Sequence, residues 1–249
     1  MTRLVMLNNI QHKDLRVITS RHGSQFGDNV GTVLTFPTEY ADVQREYPIF
    51  FRKDAKTGDY TSVALLGFAK DENLFLAGDR WEAAYVPGII ARGPFLIGFQ
   101  EREEGGELRR EPVIHVDLEH PRISETEGER VFLEQGGNSR YLDNVAAILK
   151  GINEGLAVSK AMFSAFAALE LIEPLKVEIK LDAEEKYELL GLHTISEQKL
   201  RNLDAEPLHN LHRSGFLQGA FLVLASLNNL GHLIERKRRR KRHQAAIAS

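Results

Sequence analysis

Hydrophobic and polar positions change their period near residue 135. Before it, apolar residues gather in short runs, at 15–19, 30–35, 48–52, 62–68, 95–100 and 113–118. These runs are rich in β-branched and aromatic residues and predict strands. Lys56-Thr57-Gly58-Asp59 and Glu104-Gly105-Gly106-Glu107 are turn signals between strands. Pro37, at the start of a run to Gln44, predicts a short helix.

After residue 135 the period lengthens. Leu142, Val145, Leu149, Ile152, Leu156, Phe163 and Phe166 keep a three-four spacing that predicts one long helix behind Ser139, an N-cap residue. Pro174 is expected to end it. At a rise of ~1.5 Å per residue it would be roughly 45–50 Å long, unless Gly151 or Gly155 breaks it. Val177, Ile179 and Leu181 then alternate, and 187–195 answers them after Asp182-Ala183-Glu184-Glu185, which predicts a hairpin. Ser196 is placed as the next N-cap, with Ile195 and Leu200 as a hydrophobic staple. A last helix is expected over 207–234. The predicted fold class is α+β: a β-rich half (1–135), a helical half with a hairpin (136–235), one shared core and a basic tail (236–249). No internal repeat is visible.

Composition narrows the chemistry. A chain of 249 residues, 43% hydrophobic and 27% charged, fits a soluble globular protein able to bury a sizeable core. It has no cysteine, which excludes disulfides, thiolate metal sites and a cysteine nucleophile. The first residues carry no continuous apolar stretch and no Ala-x-Ala site, so a cytoplasmic location is expected.

Charge is unevenly placed. Arg236, Lys237, Arg238, Arg239, Arg240, Lys241 and Arg242 run consecutively, and taking their +7 out of a net charge of −3 leaves −10 on the rest. Such a run reads either as a solvated, disordered extension or as a contact for a polyanion, an anionic membrane surface or a nucleic acid. The apolar stretch at 215–227 just before it is too short to span a bilayer, which needs ~20 mainly apolar residues. Gln218, Asn228, Asn229 and His232 interrupt it, so a buried helix is expected and no membrane span.

Several short patterns carry possible chemistry. His115 and Asp117 lie two apart, so a strand would aim both at one side, the spacing of part of an iron-binding facial triad; a satisfied strand histidine is the plainer reading. Glu206, His209 and His212 fall on adjacent helical turns, but a di-metal bundle needs the same pairing from a second helix. Ser214 lacks a Gly-x-Ser-x-Gly elbow, and Gly23, Gly27 and Gly31 form no nucleotide-binding loop. The stretch from Arg80 to Phe95, with Trp81, Tyr85 and Arg92, has the composition of a recognition surface and equally that of core and turns.

One resemblance organises these fragments. Tyr47-Pro48, Ala64-Leu65-x-Gly67, Glu72-Asn73-Leu74-Phe75, Trp81, Tyr85-Val86-Pro87, Pro94-Phe95 and Leu211-His212-Arg213-Ser214-Gly215 stand in the order and spacing of the SapC family of bacterial proteins. The resemblance runs from about residue 4 to about residue 235, and the family takes its name from a locus for a surface-layer protein. It implies an accessory protein, without cofactor or metal, that binds a protein or peptide client in surface-layer or envelope biogenesis. Trp81, Tyr85, Arg92, His12, His212 and Arg213 are the binding candidates. An enzyme modifying a peptide or metabolite, with His12, His212 and a carboxylate around a metal, is the alternative, and a polyanion binder acting through the tail is a third.

Overall fold

The computed structural model describes residues 3–104, 107–182 and 185–248, so Gly105, Gly106, Ala183 and Glu184 of the two expected turns lie outside it. In chain order it runs β1 (Leu4–Met6), β2 (Arg16–Val17), β3 (Thr32–Thr35), α1 (Tyr40–Val43), β4 (Ile49–Lys53) and β5 (Tyr60–Leu65). Then come β6 (Leu76–Ala77), β7 (Arg80–Trp81), α2 (Gly88–Ala91), β8 (Phe95–Glu104), β9 (Glu107–Asp117), β10 (Ile123–Ser124) and β11 (Glu129–Arg130). The second half holds α3 (Arg140–Ala168), β12 (Ile172–Lys180), β13 (Lys186–Ile195), α4 (Glu197–Arg201), α5 (Ala205–Arg213), α6 (Phe216–Ser226) and α7 (Asn229–Ala248). The class is α+β, as the change of period predicts.

Two larger sheets organise the chain. One has the order β12-β13-β4-β5-β3 and the other β1-β9-β8, all antiparallel. The first joins the two halves, because β13 pairs with β4 through Leu192–Arg52 and His193–Phe51. The β4–β5 turn is closed by Asp54, whose Oδ1 accepts from Lys56 N (2.8 Å) and Thr57 N (2.9 Å), with Gly58 at φ +78°.

Helix α3 starts as expected, with Ser139 Oγ accepting from Leu142 N at 3.2 Å. At 29 residues it is about 43 Å long. Neither glycine breaks it. Gly155 packs against Phe36 and Thr38, where a Cβ would collide, so the residue allows a close approach. Pro174 does not end the helix. The chain turns at Glu170, in the left-handed region at φ +51°, and Pro174 lies in β12, an outer strand that tolerates a missing amide.

The buried apolar residues form two clusters, and α3 runs through both. Its first half (Leu142, Val145, Leu149) packs with Val17, Phe95 and Val116. Its second half (Met162, Phe163, Phe166) packs with Phe51, Leu65 and Val223.

The C-terminal region departs most from expectation. The single helix expected over 207–234 is three helices, interrupted at Gly215, which is left-handed at φ +77°. The stretch 216–246 is long and apolar enough to cross a membrane by length and composition. In this fold Ala220, Val223 and Leu233 enter the main core, while Phe221 stays exposed. Ser226 Oγ accepts from Ile49 N (2.9 Å), and Asn229 Nδ2 donates to Gln44 O (2.7 Å).

The tail is not a disordered extension. Residues 236–242 continue α7, and their charges find the acidic body. Lys237 Nζ pairs with Glu72 at 2.6 Å, and Lys241 Nζ with Asp182 (2.6 Å) and Glu185 (2.7 Å). Arg236 lies over the Phe75 ring, 4.5 Å from its centroid, and donates to Glu82 O. Arg240 donates to Leu76 O at 2.6 Å. A body of strong negative charge supplies these partners, so the helix is a strap across the β12–β13 hairpin and the segment bearing β6 and β7.

Candidate functional site

Trp81 and Tyr85 are brought together by a chain of hydrogen bonds. Trp81 Nε1 donates to Tyr47 Oη (2.8 Å), Tyr47 Oη to Tyr85 O (2.5 Å), and Tyr85 Oη to Glu39 Oε2 (2.6 Å). Glu39 also accepts from Gly88 N (2.9 Å) and Thr35 Oγ1 (2.8 Å). Burial raises the Tyr47 and Tyr85 phenols, and for Tyr85 the Glu39 charge adds to it, so both stay protonated donors. Trp81 is stacked on Phe75 and tilted against His22. The polar groups of this ladder serve to fasten residues 81–88 to the core.

A cleft of about 510 Å³ has a different construction. Thr32, Val33 and Leu34 of β3 line one part, and Pro94 and Leu96 at the start of β8 line another. Both strands are the outer strands of their sheets. Leu66 N donates to Gly31 O, so in the β3–β5 register the amides and carbonyls of Val33 and Thr35 face β5, while those of Thr32 and Leu34 turn away. Asp117 N donates to Pro94 O, which by the same alternation turns Phe95 and Ile97 outward from β9. The Phe95 groups are taken by Arg92, through its carbonyl (3.2 Å) and Nη1 (2.7 Å). Those of Thr32, Leu34 and Ile97 have no hydrogen-bond partner among the described residues.

The polar lining is built round a buried ion pair. Arg122 Nη2 donates to Asp28 Oδ2 at 2.7 Å, and Arg122 Nη1 donates to Ile18 O (2.8 Å) and Arg21 O (2.6 Å). The Asp28 oxygen also accepts from Gly23 N (3.0 Å) and lies 3.1 Å from His22 Nδ1. Burial by itself would raise the Asp28 carboxyl, but His22, Gly23 and Arg122 outweigh it and hold the group below its ordinary value. His120 is held down by burial and by Arg122, and its Nδ1 accepts from Arg122 N at 3.1 Å, as an uncharged ring can. Asp117 Oδ1 accepts from Arg3 N (2.9 Å) and Glu119 N (3.1 Å). Arg92 differs from all of these. It is half-buried and lines the cleft, yet among the described residues no carboxylate lies within ion-pair distance of it.

The other candidates lie apart. His12 is buried in the loop before β2, where its Nδ1 is 3.1 Å from Asn8 N. His212 and Arg213 are exposed in the last turn of α5. His115 faces Gly98, and its Nδ1 has no hydrogen-bond partner among the described residues. Ser214 Oγ donates back to Asn210 O. Among the described residues, no three His, Asp or Glu side chains converge as a metal site would require. Asp28, Arg122 and His120 were not legible as a group, since loop positions without period or motif are joined only by the fold.

A family model named SapC matches residues 7–233. The chain belongs to the SapC family. No curated protein and no solved structure matches it. The SapC match begins just after β1, takes in every other strand of the two larger sheets, the cleft and α6, and stops at Leu233 inside α7, before the basic run. The stretches that carry the SapC resemblance supply the fastening: Tyr47, Trp81 and Tyr85 form the ladder, and Asn73 Nδ2 donates to Asp28 O at 2.8 Å. The cleft edges at Thr32 and Leu34 lie outside those stretches.

Proposed function

We propose that this SapC-family protein is a non-catalytic accessory protein that binds an extended segment of a protein or peptide client in the cleft between β3 and β8. The observation that carries this reading is the outer edge of β3 running along the cleft opposite the start of β8, with the outward backbone groups of Thr32 and Leu34 unpartnered among the described residues. An extended chain satisfies such groups by adding a strand, which supplies affinity, while neighbouring side-chain pockets supply selectivity. The cleft volume falls in the range of about 300–1,000 Å³ common for ligand sites. Leu34, Leu96 and Ile89 give it an apolar lining for alternate side chains of the guest. The client belongs, on this reading, to cytoplasmic steps of surface-layer or envelope biogenesis, the context the SapC resemblance implies.

The test begins with random-peptide selection on purified protein, followed by titration of synthetic copies of the selected peptides. Leu34→Pro removes only the amide that faces away from β5, so the β3–β5 ladder survives. The expected result is an unchanged melting temperature and at least about tenfold weaker peptide binding, the scale of a lost hydrogen bond with its partner left unpaired. Leu34→Thr, which keeps the amide, separates the backbone effect from loss of the apolar side chain. Equal binding by Leu34→Pro, or failure of the selection to yield any peptide, overturns the reading.

A further inference from the structure

Arg92 lines the cleft in an unusual state for a half-buried guanidinium. Its Nη1 donates to Phe95 O at 2.7 Å, and no acidic side chain among the described residues pairs with it. The two cleft carboxylates have hydrogen-bond partners of their own. Asp28 is paired with Arg122 at 2.7 Å and bonded to Gly23 N. Asp117 Oδ1 receives the amides of Arg3 and Glu119. Withdrawing a guanidinium from water without an ion-pair partner is costly, and Arg92 has no carboxylate at ion-pair distance among the described residues. A planar guanidinium in the lining of a peptide-sized groove is matched well by a carboxylate, which it can engage in bidentate fashion.

We infer that the cleft selects client segments presenting a carboxylate to Arg92, while the guest backbone runs along the edge of β3. This rests on the strand-addition reading above and adds the chemical class of the guest. The carboxylate is either an Asp or Glu side chain or the free end of a chain, and both offer the same two oxygens. Charge complementarity is the ground for the choice: among the described residues Arg92 has no carboxylate at ion-pair distance, whereas Arg122 has Asp28. Binding would complete its pairing and cover Leu34, which is 42% exposed.

The test uses the full-length protein and two random-peptide libraries, one with blocked C-termini and one with free C-termini. Enrichment of Asp or Glu at one fixed position in the blocked library assigns the contact to a side chain. Enrichment only in the free library assigns it to a chain terminus. Synthetic peptides from the enriched set are then compared with their Glu→Gln, Asp→Asn or C-terminally amidated forms. Neutralising the selected carboxylate is expected to weaken binding to the native protein about tenfold or more. The same change is expected to have no effect with Arg92→Gln, which keeps a donor for Phe95 O, and to keep most of its effect with Arg92→Lys. Melting temperatures of both variants report whether the fold survives. Peptides that need the Leu34 amide but bind equally in acid and neutral forms overturn the carboxylate inference and leave strand addition standing. Absence of any peptide that depends on Leu34 overturns both.

Discussion

Asp28 and Arg122 stand 94 residues apart in the chain and meet at 2.7 Å, with side chains only 4% and 6% exposed. The pair ties the loop before β3 to the loop after β9, and so holds together the two sheets whose edges border the cleft. Arg122 also binds two carbonyls and lies 4.5 Å from the Phe26 ring centroid. Removing one partner leaves the other charge buried and unmatched. Asp28→Asn and Arg122→Leu are each expected to lower unfolding free energy by about 3–5 kcal/mol, measured by urea denaturation. Arg122→Lys should lose much of the same stability, because a single ammonium cannot reproduce the planar fork that spans Ile18 O, Arg21 O and Asp28.

Acid should weaken the protein in two stages. His120 and Asp28 are both held below their ordinary values of 6.5 and 3.8. A group with a depressed folded pKa contributes stability that is complete above its unfolded pKa and lost as pH falls through the folded one. The His120 contribution should therefore fade below pH 6.5, and the Asp28 contribution only below 3.8. Urea midpoints across pH 8 to 3 for the native protein and His120→Asn check this. Above pH 6.5 the two curves should run parallel, and below it the native curve should fall relative to that of His120→Asn.

The strap formed by α7 gives a third expectation. Removing residues 236–249 should lower the melting temperature, whereas a disordered tail would leave it unchanged. Lys237 carries the best-enclosed contact, its side chain 16% exposed beside Glu72 at 13%. Lys237→Ala should cost about 1–3 kcal/mol, the scale of a hydrogen bond to a charged group. Arg242→Ala, an exposed pair with Glu235, should cost well under about 1 kcal/mol.

Two glycines of α3 should respond with opposite sign. A Cβ at Gly151 meets nothing within 4 Å, so Gly151→Ala should stabilise by roughly 0.5–1 kcal/mol through helix propensity. At Gly155 the added carbon collides with Phe36 and Thr38, and Gly155→Ala should destabilise despite the same propensity gain. Thermal melts of the two variants decide it.

On α6, Val223 is fully buried in the main core while its neighbour Leu224 is only partly so. Val223→Asp should cost several kcal/mol, since an unpaired carboxylate enters the apolar interior, and Leu224→Asp distinctly less. Chemical denaturation of the pair tests the facing of the helix.

The elements whose signal is local could be read directly. The apolar spacing from Leu142 to Phe166, the cap at Ser139 and the alternation at Val177, Ile179 and Leu181 each reflect periodicities fixed by backbone geometry. The start of α3 was legible for that reason, but its end was not. Pro174 looked like the terminator, while the turn comes from Glu170 and the pull of Leu171 into the core. Gly215 likewise broke a helix whose apolar pattern ran on through it. Of the binding candidates, Trp81 and Tyr85 did come together, but their polar groups face inward to Tyr47 and Glu39, a matter of packing that composition does not encode.

The sequence by itself determined the α+β class, the family and the positions of most strands and helices, because those depend on neighbours within a few residues. Tertiary structure alone decided the cleft. Its edge at Thr32 and Leu34 is open because of strand order, its buried charges at Asp28 and Arg122 meet across 94 residues, and no carboxylate among the described residues comes within ion-pair distance of Arg92. It also decided the tail. Seven adjacent cations read as a solvated run until the fold sets Glu72, Glu82, Asp182 and Glu185 beside them. Electrostatic pairing depends on distance in space, and distance in space between remote residues is what a linear pattern does not carry.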